Sequence, residues 1–599
     1  MTTSNLVLLP AKSGLSPADQ LAKASACSID KPQLACQKTV NVGIFFDGTN
    51  NNDKRDRPEK GHSNIAKLFS SYLDDKQNGY FAYYIPGVGT PFKEIGELTE
   101  SSDGKAYAKG GDSRIAWAVI QVLNSVRRAF DAKRLLEDDE AKTAIKDTNQ
   151  LATVWAIYNT KRQAWFKKQV KKLEEVIANK KPKIVQLNIS VFGFSRGAAE
   201  ARAFCHWLVD CCEGNGAYLA GVPIKIQFLG IFDTVASVGL ADSFPIPVQG
   251  LMDWADGTME ILPQVQRCVH YVAANEIRAS FPLSCARNGK AYPANVLEQV
   301  YPGAHSNIGG GYGPGEQGRS KAGIEHLLSN IPLLNMYREA VKAGVPLLPI
   351  AQLDALIKKD FVISEPLRLA FNAYVKYSAI KTAKVEDMLD AHMRYYRRYK
   401  AQIGKNESKL TEVKDQDKLD LDEAAKDFEK EAAKIKIEGL HYIPDYDPSR
   451  IKNDYIDVET TLPNDVLDFF VQYVHDSHAG FYLAGAVTKY DKEMEKKRIK
   501  DKASALSLVY KKYYQPNNAK SVNTGYVNKH QLSEYEYINN QLTKWERKVL
   551  ASRMGEFPLM SDQDQWDLLQ GMGVVVRANT ATRREGTGYF RRRVVFDKS

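Results

Sequence analysis

Short apolar runs alternate with longer amphipathic stretches through the first half of the chain. "TVNVGIFFDGTNNND" opens with an apolar strand over Thr39–Phe46 and ends in Asp-Gly and a run of asparagines. "GYFAYYIPGVGT" predicts a second strand, stopped by Pro86 and Gly87. Apolar positions recur at helical spacing from Asp112 to about Phe130, and again across the lysine-rich residues 150–180. Three further β-branched, apolar runs follow at 183–192, 224–232 and 266–274, with a weaker one at 295–301. Strands separated by helical stretches predict a mainly parallel sheet covered by helices.

Beyond about residue 320 the pattern turns helical. Residues 321–345 read as a helix, and 383–436 carry alternating charges that ordinarily mark a solvated helix face. "VLDFFVQYVHDSHAGFYLAGAV" breaks that polarity, and "GVVVRANTATRREGTGYFRRRVVFDKS" at the end reads as two strands joined by a polar turn. The expected organisation is a loosely ordered leader over 1–37, an α/β core over 38–320, and a mostly helical region over 321–599. Parts of that last region, about 462–487 and 570–599, are expected to pack back on the core.

Composition narrows the class without naming a function. An apolar share of 44% is ample for a large core, and the net charge of +10 is modest for 599 residues. It favours anionic surfaces such as phospholipid and gives little support to nucleic-acid binding. Cys27, Cys36, Cys205, Cys211, Cys212, Cys268 and Cys285 are odd in number and lack CxxC spacing. They fit reduced thiols rather than a disulfide framework or a structural zinc site. The first residues lack the basic and apolar regions of a signal peptide. No apolar run reaches the roughly 18 residues of a membrane span, so any membrane contact is expected to be peripheral.

The candidate chemistry centres on "IVQLNISVFGFSRGAAEARAFCHWLVD". A bare G-x-S-x-G is a weak signal, but a nucleophile elbow also needs a buried strand before the serine and a helix after it. It needs glycines on both flanks, because the turn is strained and side chains there would clash. Here Ile184–Phe192 is the strand, Gly193 and Gly197 flank Ser195, and Ala198 and Ala199 allow close helix packing. The plainer reading is a tight strand-to-helix turn with an incidental serine.

A serine needs a base, and the base needs an orienting carboxylate. "PIKIQFLGIFDTVASVG" delivers Asp233 at the end of the next strand, in the Ser-Asp-His order of α/β-hydrolases. A turn or helix-cap aspartate would look the same on this stretch alone. Among the histidines, His206 lies on the elbow helix and His270 in mid-strand, where packing roles are expected. His305, in the glycine-rich loop "VYPGAHSNIGGGYGPGE", is the favoured base, and His475 and His478 of "YVHDSHAGF" are the rival pair. The oxyanion hole needs two backbone N–H donors. Arg196 follows the nucleophile, and Gly48 or Thr49 in "FFDGTNNN" is the second candidate, although that loop also suits a simple Asx-capped turn.

Other enzyme classes fit less well. An aspartyl-phosphate phosphohydrolase would carry its nucleophilic aspartate where Phe45 stands. No HExxH or paired His/Asp spacing suggests a metal, and "NIGGGYGPGEQG" lacks the Lys-Ser/Thr of a P-loop.

"FFDGTNNN", "GFSRGAAEAR", "GIFDTVASVG", "YVAANEIRASF" and "YPGAHSNIGGGYG", taken together and in this order, go beyond a generic hydrolase. The chain resembles the phospholipase effectors of the bacterial type VI secretion system, in the lipase class with a G-x-S-x-G elbow. Their hydrolase domain was first catalogued as one of unknown function. The blocks span roughly residues 40 to 315, and "VQYVHDSHAGF" looks like a further one. One departure is Asn275, where the resemblance implies an acidic residue beside Glu276.

The resemblance implies an α/β-hydrolase fold with Ser195, Asp233 and His305 as nucleophile, acid and base. It implies phospholipase A activity on membrane glycerophospholipids, and the residues themselves predict no cofactor. The implied partners are a cognate immunity protein and a VgrG-type secretion spike, with no nucleic acid. The implied route runs from the producing cytoplasm to the target-cell periplasm. The helical region 321–599, rich in Tyr beside Lys or Arg ("YYRRYK", "VYKKYYQ"), is expected to serve as a lid or membrane-docking part. Two alternatives stay open: a secreted scaffold with a non-catalytic elbow, and an esterase acting on other acyl esters.

Overall fold

A parallel sheet buried on both faces organises the chain. Its strands are β1 (Gln37–Phe46), β2 (Tyr80–Ile85), β3 (Lys183–Phe194), β4 (Val222–Phe232), β5 (Cys268–Ala273) and β6 (Val296–Tyr301). The structure is a computed structural model describing residues 5–9, 37–100, 110–149, 155–178, 180–236, 253–255, 257–289, 291–406, 412–439, 456–481, 487, 489–513, 533–553, 556–571 and 588–597. The strand order is β2-β1-β3-β4-β5-β6, all neighbours parallel, with Tyr218–Leu219 antiparallel on β4. The strands read from the apolar runs are all present, and each is followed by helix or loop that returns the chain to the same edge.

Alternation along each strand feeds two cores. Val40, Val42 and Ile44 of β1 and Leu187, Ile189 and Val191 of β3 join one core. It is closed by α1 (Gly111–Asp131), α2 (Trp155–Ile177) and α3 (Arg196–Asp210). Phe45, Phe192 and Phe228 point to the other face, where Phe45 stacks on Phe192 with ring centroids 4.9 Å apart. That face is covered by α4 (Asn330–Lys342), α5 (Glu365–Ser378), α6 (Val385–Ile403) and, after α7 (Asp415–Glu438), by α8 (Asn464–Tyr473).

The charged stretch 383–436 departs from its expected solvated role. It forms α6 and α7, and α6 buries Val385, Met388, Leu389, His392, Met393, Tyr396, Tyr399 and Ile403. That spacing is one helical stripe, and the alternating charges occupy the remaining surface.

Two units divide the chain. The larger takes residues up to 414, 421–479 and those from 587 on; the smaller takes 415–420 and 480–586. The smaller unit contains α9 (Lys489–Tyr513), α10 (Lys544–Ala551) and α11 (Asp562–Gly571), around a small core of Ile499, Trp545, Val549, Met560 and Leu568. Among the described residues, no helix is long and apolar enough to cross a membrane.

Both chain ends meet the larger unit. Of the leader, Asn5–Leu9 are described: the Leu9 N–H donates to Asn372 Oδ1 (2.8 Å), and Asn372 Nδ2 donates to the Leu9 carbonyl (2.9 Å). Gln37 already opens β1, and the rest of the leader, with Cys27 and Cys36, lies outside the described residues, as does the first of the two expected terminal strands. The second is short: Val595–Phe596 pairs in parallel with Leu283–Ser284.

Candidate active site

With β2 on one side of β1 and β3 on the other, the strand order reverses between β1 and β3. Open parallel sheets place ligands outside the carboxyl ends at such a point. Ser195 stands there, directly after β3 and as the N-cap of α3. Its backbone has φ 59° and ψ −127°, a conformation costly for a residue with a Cβ. Ser195 N–H donates to the Phe232 carbonyl (3.0 Å), and its own carbonyl accepts from Val235 N–H (3.3 Å). These bonds tie the turn to the end of β4. The flanking glycines are sterically fixed. A Cβ at Gly193 would stand 2.5 Å from the Gly197 carbonyl oxygen, and one at Gly197 2.3 Å from that of Asp47.

Asp233 follows β4, also with positive φ (40°), and His305 begins the short helix after β6. They meet across 72 positions: His305 Nδ1 lies 2.5 Å from Asp233 Oδ2. The imidazole sits between Phe194, the residue before Ser195, and Phe281, with ring centroids at 4.6 and 4.9 Å. Nε2 of His305 is buried and has no hydrogen-bond partner among the described residues. The contact from Nε2 to a serine hydroxyl is often long or misaligned before substrate binds.

Electrostatics separate the roles of the pair. Burial would raise the Asp233 carboxyl, but Arg593 and His305 outweigh it and hold the group well below the usual carboxylate range. Burial lowers His305, and the Asp233 contact only partly offsets it, so the imidazole is neutral near pH 7. Nδ1–H donates to the carboxylate, which leaves the Nε2 lone pair available to a hydroxyl.

The loop after β1 packs onto the elbow. A Cβ at Gly48 would meet the Phe194 ring at 2.6 Å. The Gly48 N–H is already held by Asp47 Oδ1 (2.7 Å), while Tyr84 Oη–H donates to Asp47 Oδ2 (2.5 Å). Burial pushes the Asp47 carboxyl up to about 7. Of the two upstream oxyanion candidates, Gly48 therefore has its N–H engaged within its own loop.

The rival histidines fill supporting positions. The His475 ring stacks on Tyr312 with centroids 3.9 Å apart, and its Nδ1 accepts from Asn307 Nδ2 (2.9 Å). His478 Nε2 lies 3.3 Å from Asp427 Oδ2. Their segment braces the loop that carries His305: Asp476 N–H donates to Gln317 Oε1 and Ser320 N–H to the Gln472 carbonyl. Below the acid, His270 Nδ1 meets Glu298 Oε2 at 2.8 Å, and its Nε2 accepts the Thr234 N–H (3.1 Å). His206 Nε2 faces the Glu260 carbonyl at 2.9 Å.

Two neighbouring positions matter more than the sequence indicated. Asn275 Oδ1 accepts the Gly303 N–H at 2.7 Å, which fixes the approach to His305. Glu276 binds the Arg278 guanidinium, accepts from Ser477 Oγ (3.0 Å) and faces the His305 N–H (3.3 Å). Burial would raise Glu276, but Arg278 outweighs it and draws the carboxyl down to about 2. Arg593, two residues before the terminal strand Val595–Phe596, forks onto Asp233 at 2.8 and 2.9 Å. Sequence reasoning missed it; the available signal was an arginine cluster, "YFRRRVVF", inside an apolar strand.

Comparison with known proteins adds the family. Residues 41–212 and 215–339 match the family described as "T6SS, Phospholipase effector Tle1-like, catalytic domain". Among solved structures, an uncharacterized protein from Pseudomonas aeruginosa aligns with TM-score 0.65 and 26% identity, over 81% of this chain and 84% of that one. The Tle1 effector bound to the VgrG spike of the Type 6 secretion system aligns with TM-score 0.31 and 18% identity, over 60% of this chain and 85% of that one. No curated protein gives a significant match.

Proposed function

Residues 41–339 belong to the catalytic-domain family of the Tle1-like type VI secretion phospholipase effectors, and from that premise we propose a serine phospholipase A with Ser195, Asp233 and His305 as its triad. His305 Nε2 takes the proton of Ser195 Oγ as Oγ bonds to the acyl carbonyl carbon. The carbonyl oxygen becomes an oxyanion, held by the N–H groups of Arg196 and Thr49. The intermediate collapses, the ester C–O bond breaks, and His305 returns the proton to the departing lysophospholipid oxygen. Water then repeats the sequence on the acyl-enzyme and releases the fatty acid.

The observation that carries this reading is the strained Ser195 backbone beside the 2.5 Å His305–Asp233 pair, at the carboxyl ends of the strands. The proposed substrates are bilayer glycerophospholipids. The proposed partners are a secretion spike that carries the chain to a target cell and an immunity protein that protects the producer. The smaller helical unit suits peripheral membrane contact, since Leu508, Tyr513 and Tyr535 are exposed on it beside Lys511 and Lys512.

The test is mass spectrometry of products from a mixed-acyl phospholipid, comparing wild type with Ser195→Ala and His305→Ala. One lysophospholipid and one fatty acid from wild type alone support the reading. Equal hydrolysis by Ser195→Ala would overturn the serine triad, and no hydrolysis by wild type would return the protein to the scaffold reading. Turnover of soluble acyl esters without any phospholipid cleavage would favour the esterase.

A further inference from the structure

The side chain that fixes the proposed catalytic acid comes from the far end of the chain. Arg593 is buried, and its guanidinium donates to both carboxylate oxygens of Asp233, Nη1 to Oδ1 (2.8 Å) and Nη2 to Oδ2 (2.9 Å). Two further donors are engaged: Nε with the Phe281 carbonyl (2.9 Å), and Nη1 also with that of Ala273 (3.0 Å). Asp233 Oδ1 takes a further bond from Ala273 N–H (2.9 Å), and Oδ2 takes His305 Nδ1. Each carboxylate oxygen thus has two donors, and the carboxylate plane is set by the fork. Such bidentate pairing fixes direction as well as charge.

The segment bearing Arg593 is tied down along its length. Glu431 accepts the N–H groups of Gly588, Tyr589 and Phe590 (2.8, 3.1 and 3.2 Å), and Tyr589 Oη–H donates to Asp476 (2.7 Å). Arg592 pairs with Asp390 of α6, and Leu283 N–H donates to the Val594 carbonyl (2.8 Å). A Cβ at Gly588 would stand 2.5 Å from the Ile277 carbonyl oxygen, so this strap fits against the loop after β5.

We propose that Arg593 is a positioning residue for Asp233, and that residues 588–597 form a strap whose docking completes the catalytic site. This rests on the triad reading above. The fork serves two purposes. It holds the acid ionised where burial opposes charge, and it stops the carboxylate rotating away from His305. An unforked, protonated acid would no longer select the Nδ1–H tautomer that frees Nε2. The charged and titratable groups facing this pair are Arg593, Glu276, Arg278 and, beneath the acid, His270.

The full-length chain is assayed on a short soluble ester as wild type, Arg593→Gln, Arg593→Lys, Arg593→Ala and Ser195→Ala, each with a melting curve. Arg593→Gln is expected to melt cooperatively and to lose kcat on the order of 10²-fold with little change in KM. Its acid limb of kcat/KM should move to higher pH, because without the guanidinium both Asp233 and His305 hold protons more tightly. Arg593→Lys should fall between Gln and wild type, and millimolar guanidinium should restore part of the activity of Arg593→Ala. Wild-type kcat with an unmoved acid limb in Arg593→Gln overturns the proposal. So does loss of cooperative melting in both the Gln and Lys variants, which would assign the arginine to folding alone. Hydrolysis by Ser195→Ala would instead overturn the triad reading.

Discussion

His305 turns one nitrogen to Asp233 at 2.5 Å and leaves the other, Nε2, buried without a partner among the described residues. Burial lowers the imidazole pKa from its ordinary 6.5, and the aspartate recovers only part of that shift. The protonated ring is the inactive form, so activity rises as pH climbs through the folded-state pKa, which lies below 6.5. A pH profile of kcat/KM on a soluble ester should therefore have its acid limb under 6.5 and be flat through neutrality. A limb centred above 7 would contradict this assignment of the base.

Asp233→Asn keeps the shape of the acid and removes its charge. The amide can donate to the imidazole and favour the wrong tautomer, which costs roughly 10⁴-fold in kcat in a triad of this kind. The same change leaves the buried Arg593 guanidinium without its counter-ion, so the melting temperature should fall as well. Steady-state kinetics with a parallel melting curve separates the two effects. A variant with kcat within tenfold of wild type would remove Asp233 from the mechanism.

Glycines at the elbow are predicted to tolerate no side chain. At Gly193 and Gly197 an added methyl meets backbone atoms at 2.5 and 2.3 Å, which cannot swing aside as a side chain tip can. Ala at either position should cost about 1–3 kcal/mol or more in stability and abolish activity. Gly221 is the control: its φ is +72°, but nothing among the described residues lies within 4 Å of an added Cβ. Gly221→Ala should cost only about 1 kcal/mol and leave turnover intact. Equal melting temperatures for Gly197→Ala and wild type would contradict a close contact between the elbow and the Asp47 carbonyl.

The sheet was legible because each strand is rich in apolar and β-branched residues and most stop at Gly, Asp or Pro, a pattern that short-range physics dictates. Ser195 and its glycines were legible for the same reason: strand, turn and helix are adjacent in sequence. Asp233 and His305 followed from their places at strand ends. Arg593 was not legible, because nothing local distinguishes it from Arg591 and Arg592, and its partner lies 360 positions away. The engaged Gly48 N–H was hidden for a different reason. Whether Asp47 turns its carboxyl onto the following N–H depends on Tyr84 from the neighbouring strand. In α6 the dense charge obscured the apolar stripe, so a buried helix read as a solvated one.

His305 and His475 are both buried, and only the hydrogen bonds at Nδ1 tell their chemistry apart. Asn307 Oδ1 accepts the N–H groups of Ala304 and His475 (3.2 and 3.0 Å), so its Nδ2 is the side that faces the His475 ring, at 2.9 Å. His475 Nδ1 must then accept, which places the proton of the neutral ring on Nε2, and the Glu316 carbonyl faces the ring. Burial and Arg319 drive its pKa far below the ordinary value, so the ring does not gain a second proton near neutrality. A ring with Nε2 protonated cannot take a proton from a serine there. His305, with Nδ1–H bound to a carboxylate, has the opposite tautomer and can. His475→Gln should therefore lower stability by about 1–3 kcal/mol through the lost stack and hydrogen bond, with kcat within about tenfold. His478→Asn, which removes a contact to Asp427, should behave similarly, while His305→Gln should lose roughly 10³-fold or more. A folded but inactive His475→Gln beside an active His305→Gln would reverse the assignment of the base.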